Sequence, residues 1–564
     1  MGVPTDQANI HALIHELSFG GNSFVFNDVM KNFISILSIF ILASCSSGKT
    51  PVEEGLENQI LHWGNGSEPQ GIDPHIVTGV PEHHILIGVC EGLTITDPKG
   101  GRENLPGVAQ SWTLKEDQKT YVFNFNPNAR WSNGDRVTPE DFVWSWQRAL
   151  TPTLGSQYSE MLFYVKNAKE FYDGKIDDFS EVGVKAISDY ELEVELENQT
   201  PFFVGLLAHY STWPVHKETV LKFGEIDDRS MKWTRPGNHV CNGPMKLKSW
   251  ELNKKIVVEK NEYYWDADRV KLNEIHYYPI QNESTEDRMF RAGALHVTNV
   301  VPQEKCPVYL ENKNPSLRID PYMGTYYYRV NTTLPHLSDS RVRKALAMGI
   351  NRKLIVEKVS KCGQKTAYSF TPPGTSEYYP DTVVEFNPEK GKELLTEAGY
   401  PNGEGFPTIE ILFNTQEGHR KIAEAIQQMW KVNLGINVEI YNTDWKVYLS
   451  RQDNLDYQIS RAGWIGDYQD PNTFLEIMRP GRGNNQTGWT NYEYEKLVAE
   501  ANKTSDQEER YKKLMEAERI LIDEMPLIPI YTYVKQFQIH PDVKGWDANI
   551  LDHHHPKFVY LERD

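Results

Sequence analysis

The segment best equipped for chemistry is Arg461-Ala462-Gly463-Trp464-Ile465-Gly466-Asp467-Tyr468, which follows a strand expected over Tyr457 to Ser460. Small residues beside a tryptophan and an aspartate permit close backbone approach by a ligand, and open α/β sheets bind ligands at the C-terminal ends of their strands. The residues alone leave a second reading open, in which Asp467 caps a helix begun by Pro471.

Motifs for covalent catalysis are missing or misplaced. Gly48-Lys49-Thr50 looks like the end of a P-loop, but that loop's first glycine would fall at Ala43. Ser46-Ser47-Gly48-Lys49 matches S-x-x-K, yet no K-T-G triplet follows it. Neither G-x-S-x-G nor H-E-x-x-H occurs, so a nucleophile elbow and a zinc-binding helix face are both absent. His553-His554-His555 is the densest imidazole cluster; consecutive side chains point apart, which predicts a solvated turn before Pro556, and His83-His84 carries the same caution. The cysteines, at 45, 90, 241, 306 and 362, contain no C-x-x-C pair, against zinc-ribbon, thioredoxin and iron–sulfur chemistry. Cys90, Cys241, Cys306 and Cys362 permit three pairings, and the sequence does not choose among them. No catalysis, no metal and no cofactor is expected.

The whole chain agrees with a binding rather than a nucleic-acid function. Its 564 residues carry a net charge of -19, which repels polyanions. Aromatic residues reach 12%, suited to the amphipathic walls of a concave site. One long apolar run, Phe33 to Leu42, is too short to span a bilayer and fits the h-region of a signal peptide. With Met30-Lys31-Asn32 before it and Leu42-Ala43-Ser44-Cys45 after it, residues 30–44 resemble a bacterial lipoprotein signal. That resemblance implies cleavage at Cys45, a lipid anchor on it and a polar tether over 45–56. Residues 1–29 fit no part of such a signal and read as an over-long start.

The elements that must position the site are mixed α/β. Thr138-Pro139-Glu140-Asp141 predicts a capped helix continuing through Phe142, Trp146 and Leu150, and Ser505-Asp506-Gln507-Glu508 predicts another. Asn387-Pro388 opens a helix that Gly399 closes; Ile409 to Phe413 and Ile436 to Ile440 alternate as strands around an amphipathic helix bearing Ile422, Ile426 and Trp430. That is a βαβ unit. By contrast, 185–197 and 254–260 alternate without helices between, as antiparallel segments do. Two differently built lobes with a cleft between them are expected.

A series of ordered motifs then resembles a family. Ile72-Asp73-Pro74-His75, Glu91-Gly92-Leu93, Leu105 to Trp112, Trp131-Ser132-Asn133-Gly134-Asp135, Asn242-Gly243-Pro244, Tyr326-Tyr327-Tyr328, Arg341 to Leu346 and Arg461 to Asp467 are similar to those of the family 5 extracellular solute-binding proteins, and most similar to the oligopeptide-binding members that serve ABC importers. The likeness covers about 57 to 564.

The resemblance implies an α/β, two-lobed periplasmic-binding-protein fold (type II, cluster C) with an extra appended domain. Lobe I would comprise 57–90, 215–322 and 535–564, the appended domain 91–214, and lobe II 323–534. A peptide would lie extended in the cleft, held through its backbone, with roomy wet pockets for its side chains. By the family's motifs Asp467 would pair with the peptide ammonium, Trp464 and Trp445 would form aromatic walls, and Tyr158 would touch the ligand backbone. His419 and Arg461 match cationic positions for the carboxylate end, while Arg451 and Lys361 fall within one or two residues of others. The chain departs from the family at Thr78, where an acid is usual, and in the loop 451–460. The partners implied are an oligopeptide, an ABC permease with its ATPase, and a membrane reached through the anchor alone. The receptor would be an extracytoplasmic monomer. The same fold also serves murein-peptide, dipeptide, nickel-chelate and oligosaccharide ligands. A surface peptidase is the reading from another class, and it would need an activated nucleophile.

Overall fold

The computed structural model describes residues 48–564. The signal-like segment 30–44 and Cys45 lie outside the described residues.

Three principal sheets organise the chain from Pro51 onward. The first is four-stranded, in the order Ile60–Gly64, Glu274–Tyr278, Lys255–Lys260, Met245–Glu251, with only the first pair parallel. It pairs an N-terminal strand, at Ile60, with one 214 residues further along the chain, at Glu274, so this part is discontinuous in sequence. The second sheet is wholly antiparallel, in the order Ala109–Leu114, Thr120–Phe125, Glu191–Glu195, Val184–Ser188. The alternation read at 185–197 is its closing hairpin, with Leu192 and Val194 facing the core.

The third sheet has six strands, ordered Lys365–Thr366, Leu527–Gln538, Leu317–Val330, Ile459–Ile465, Ile409–Asn414, Val438–Thr443. The predicted βαβ unit is its parallel edge. Ile409–Asn414 pairs with Val438–Thr443 in unbroken register, and helix Glu417–Leu434 crosses between them, burying Ile422, Ile426 and Trp430. Gly435 ends that helix at φ +74, a conformation that costs glycine little. Leu317–Val330 and Leu527–Gln538 pair over most of their length, so the limits expected for lobe II, 323 and 534, fall inside two continuous strands.

Local signals were reliable where the stabilising bond is local. Helix Pro139–Leu150 starts as expected, Thr138 donating its backbone N–H to Asp141 at 2.7 Å. Helix Gln507–Glu524 is capped one residue later than expected: Asp506, not Ser505, accepts the Glu509 N–H at 2.8 Å. The strand expected over Tyr457 to Ser460 runs instead from Ile459 to Ile465. Its small residues belong to packing within a strand; a Cβ on Gly463 would lie 2.5 Å from the Tyr533 hydroxyl.

Two disulfides form, Cys90–Cys241 and Cys306–Cys362. A fully buried ion pair ties helix Pro139–Leu150 to the N-terminal segment: Arg148 donates to both oxygens of Asp73, at 3.0 and 2.6 Å. Burial alone would raise the Asp73 pKa, but the guanidinium overrides it and holds the carboxyl below its ordinary value.

Candidate functional site

A cavity of about 320 Å³ lies where the three sheeted regions meet. That volume is at the lower end for a small-molecule site. Six of the eight expected ligand residues line it: Tyr158, His419, Trp445, Arg461, Trp464 and Asp467. The other two stand elsewhere. Arg451 is held by Glu410 at 2.9 Å and Asp456 at 3.1 Å, and Lys361 is exposed, in a left-handed turn (φ +58) beside the Cys306–Cys362 disulfide.

One wall of the cavity is an open strand edge. Ile459–Ile465 pairs along one side with Leu317–Val330, but on its other side only Ile459 and Ser460 pair with Ile409–Asn414. From Arg461 to Ile465 no strand lies on that second side among the described residues, and Arg461, Gly463, Trp464 and Ile465 all face the cavity. The Tyr448 hydroxyl and the Gln452 amide both donate to the Arg461 carbonyl at the start of this edge. An unpaired edge bounded by side chains is a template for one further extended chain.

The edge ends at an acid. The Asp467 side chain is 8% exposed and takes the Thr473 hydroxyl at 3.2 Å and the Tyr158 hydroxyl at 3.5 Å, with His209 Nε2 at 3.4 Å. Burial pushes the Asp467 carboxyl well above the ordinary carboxylate range and the His209 imidazole well below its own. No lysine or arginine comes within 4 Å of Asp467 among the described residues. A cation brought by a ligand would favour its ionised form. The helix-cap alternative fails, because Asp470 accepts the Asn472 N–H at 2.9 Å and pairs with Arg510.

The opposite end is cationic. Arg461 donates to the Tyr533 hydroxyl at 2.8 Å and to Asn414 Oδ1 at 3.3 Å, and its guanidinium carbon lies 4.8 Å from the Tyr326 ring centroid. Its Nε is buried without a partner, and no carboxylate pairs with it within 4 Å among the described residues. His419 stands nearby, its Nδ1 3.5 Å from the Tyr326 hydroxyl; burial first, and then the Arg461 charge, hold its pKa well below normal. A guanidinium with a spare N–H beside a neutral imidazole suits a carboxylate.

Contacts across the cavity mouth hold the walls together. Trp445 donates to Glu82 at 3.3 Å, Asn282 to Glu417 at 2.7 Å and Gln157 to Asp453 at 2.9 Å, and Lys421 pairs with Glu304 at 2.8 Å. These bonds join elements of different sheets, the arrangement of a closed cleft.

Several wall residues were not anticipated. His553, His554 and His555 are buried, 4 to 6% exposed, rather than forming a solvated turn. His554 donates to Asp552 at 2.9 Å and stacks on Trp546, while His553 meets Thr96 at 2.9 Å and lies in the cavity wall near His83. Asp552 and Trp546 are near in sequence, but Thr96 and His83 come from distant parts of the chain, which no local pattern announces. Arg329, within the strand Leu317–Val330, is also a wall residue; only the sheet topology brings it there. The described residues contain one cluster with metal-ligand spacing, Cys90, His239 and Cys241, and its two sulfurs are joined to each other.

Comparison with known proteins places the chain. Residues 104–486 match the family model of bacterial extracellular solute-binding proteins, family 5 Middle. The periplasmic oligopeptide-binding protein OppA of Escherichia coli is 36% identical over 545 residues, with 93% of this chain and 98% of that protein covered. Among solved structures, Haemophilus influenzae OppA in complex with RPPGFSPFR superposes with a TM-score of 0.85 at 34% identity, covering 90% of this chain and 99% of the other. The Escherichia coli murein tripeptide binding protein MppA also gives 0.85 at 34%, over 90% and 99%, whereas MppA in its unliganded open form gives 0.61. Sequence is constant in that last pair, so the difference reports the relation between lobes, and this chain does not share the open one. With its two-lobed α/β fold and its charge-polarised cavity, the chain belongs to the family 5 bacterial extracellular solute-binding proteins.

Proposed function

We propose that this chain is the extracytoplasmic receptor of an ABC importer, that it binds oligopeptides with free termini between its lobes, and that it releases them unaltered to a permease. The single observation that carries the reading is the open edge Arg461–Ile465, flanked by a buried carboxyl without a fixed cation at one end and a buried guanidinium without a carboxylate at the other. Backbone pairing along the edge ignores side-chain identity, so a broad range of peptides would bind. Asp467 would take the ammonium, Arg461 with His419 the carboxylate, and Trp464, Trp445 and Tyr158 the intervening walls. Arg451 and Lys361 have no place in this scheme because neither lines the cavity.

In this account lobe I spans 57–90, 215–322 and 535–564, the appended domain 91–214 and lobe II 323–534, with hinge motion through the long strands Leu317–Val330 and Leu527–Gln538. Cys45, outside the described residues, would carry the lipid anchor of a monomeric receptor. Small-angle scattering tests the binding step. Ligand-free protein should contract when an unmodified tetrapeptide is added, and the peptide should be recovered intact; an unchanged radius of gyration in verified ligand-free protein would contradict closure, and cleaved peptide would favour the peptidase reading.

A further inference from the structure

Arg329 is 6% exposed, lines the cavity, and stands opposite Ser460 on the strand next to the open edge. Its Nη1 donates to Gln452 Oε1 at 3.0 Å, and its guanidinium carbon lies 5.7 Å from the Tyr327 ring centroid. Gln452 is fixed in that orientation, since its amide nitrogen is already shared by the Tyr448 hydroxyl at 2.8 Å, Ser460 Oγ at 2.9 Å and the Arg461 carbonyl at 3.2 Å. No carboxylate lies within 4 Å of Arg329 among the described residues. The acid that acts on it electrostatically, Asp453, is engaged instead by the amides of Gln157 and Gln486. Glu160 accepts from Asn484.

The wall carries three cations, Arg329, Arg461 and Lys535, and three acids, Glu283, Asp467 and Asp552, but among the described residues Arg329 has no carboxylate within 4 Å. Lys535 and Asp552 neutralise each other at 2.6 Å. If a zwitterionic peptide occupies Asp467 and Arg461, as the proposed function has it, the positive charge of Arg329 remains. Glu283, the other wall acid, sits against the backbone of Gly418 beside Glu417 and Glu304. A buried guanidinium on the cavity wall, bonded to one neutral acceptor, can take a ligand carboxylate through bidentate bonding.

We propose that Arg329 forms a side-chain subsite for an acidic residue, so that this receptor prefers oligopeptides carrying Asp or Glu at one internal position. The inference rests on the peptide-binding reading and narrows it to a substrate class.

The test is calorimetric titration of the ligand-free protein with tetra-alanine peptides bearing Glu, Gln or Lys at each position in turn, alongside C-terminally amidated versions. At one position Glu should bind at least tenfold tighter than Gln, and Lys should bind more weakly than Gln. In Arg329→Gln the Glu-to-Gln ratio at that position should fall to about one, while Arg329→Lys should keep part of it. Because the readout is a ratio within one protein, general weakening by a substitution cancels. Equal affinities for Glu and Gln at every position in the parent would overturn the inference while leaving peptide binding intact, as would a ratio that survives Arg329→Gln. Should Arg329→Gln instead abolish the penalty of C-terminal amidation, Arg329 holds the terminal carboxylate and the subsite assignment is wrong. Failure of every peptide to bind would overturn the proposed function and this inference with it.

Discussion

Replacing Asp467 by Asn preserves the shape of the side chain and removes its charge. The side chain is 8% exposed and its neighbours Thr473, Tyr158 and His209 are all neutral, so no protein cation shares the effect of the change. Removing one partner of a buried, hydrogen-bonded charge pair costs about 2 to 5 kcal/mol, because the other charge stays buried and unpaired. At about 1.4 kcal/mol per decade, affinity for unmodified peptides should fall at least roughly 30-fold. Acetylating the peptide's N-terminus removes the other partner and should weaken binding to the parent by a similar factor, while both changes together should cost far less than their sum. Calorimetric titration of the four combinations gives the coupling. The pH dependence has a definite sign: affinity should rise as Asp467 ionises from its elevated pKa and fall once the peptide's α-amino group, at about 7.7 to 8.0, loses its proton. Ligand-free Asp467→Asn should be at least as stable as the parent, since the carboxyl meets a desolvation cost that the amide avoids. Additive losses in the cycle would refute the reasoning and move the ammonium site elsewhere in the cavity.

Three further outcomes are expected. Burial pushes the Glu286 carboxyl up to about 8, so the folded state binds its proton more tightly than the unfolded chain; that contribution is fully present below about 4.5 and is lost as pH rises through about 8. The buried histidines take up protons on unfolding equally in parent and variant, so thermal unfolding between pH 5 and 8 should show the stability of the parent falling relative to Glu286→Gln as pH rises; a constant difference between the two would reject this origin. Cys45→Ala should release the protein from membranes into the soluble extracytoplasmic fraction, and a variant that stays bound like the parent would reject the anchor. Removing Cys306–Cys362 by a double alanine substitution opens a 56-residue separation worth about 4 kcal/mol in the chain-entropy model, so denaturant unfolding should show a loss of about 2 to 4 kcal/mol; a loss below about 1 kcal/mol would place its value elsewhere.

The elements whose signals are local were legible in the sequence. The Thr138–Asp141 box, the Asn387-Pro388 helix start and the βαβ pattern of 409–443 each rest on bonds or periodicities spanning a few residues. The strand Ile459–Ile465 was misread at its C-terminal half because Gly463 and Gly466 resemble a turn until Tyr533 and Met323 are seen packed against them. The triple histidine looked solvated because Asp552 is adjacent but Trp546 and Thr96 become its neighbours only through folding. The pairing of four cysteines, and the arrival of Arg329 at the cavity, depend on which strands lie side by side, which side-chain alternation does not encode. The charged ends of the site, Asp467 and Arg461, were visible as residues; the unpaired edge between them was not, since it exists only because the neighbouring strand diverges after Ser460.

Peptide binding through two charged ends is read out by native mass spectrometry of the ligand-free protein mixed with a tetrapeptide having free termini, with the same peptide blocked at both ends as control. A one-to-one complex with the free peptide at its intact mass is expected, with little or none for the blocked one. Equal complex formation by both peptides, or appearance of hydrolysed fragments, would contradict it.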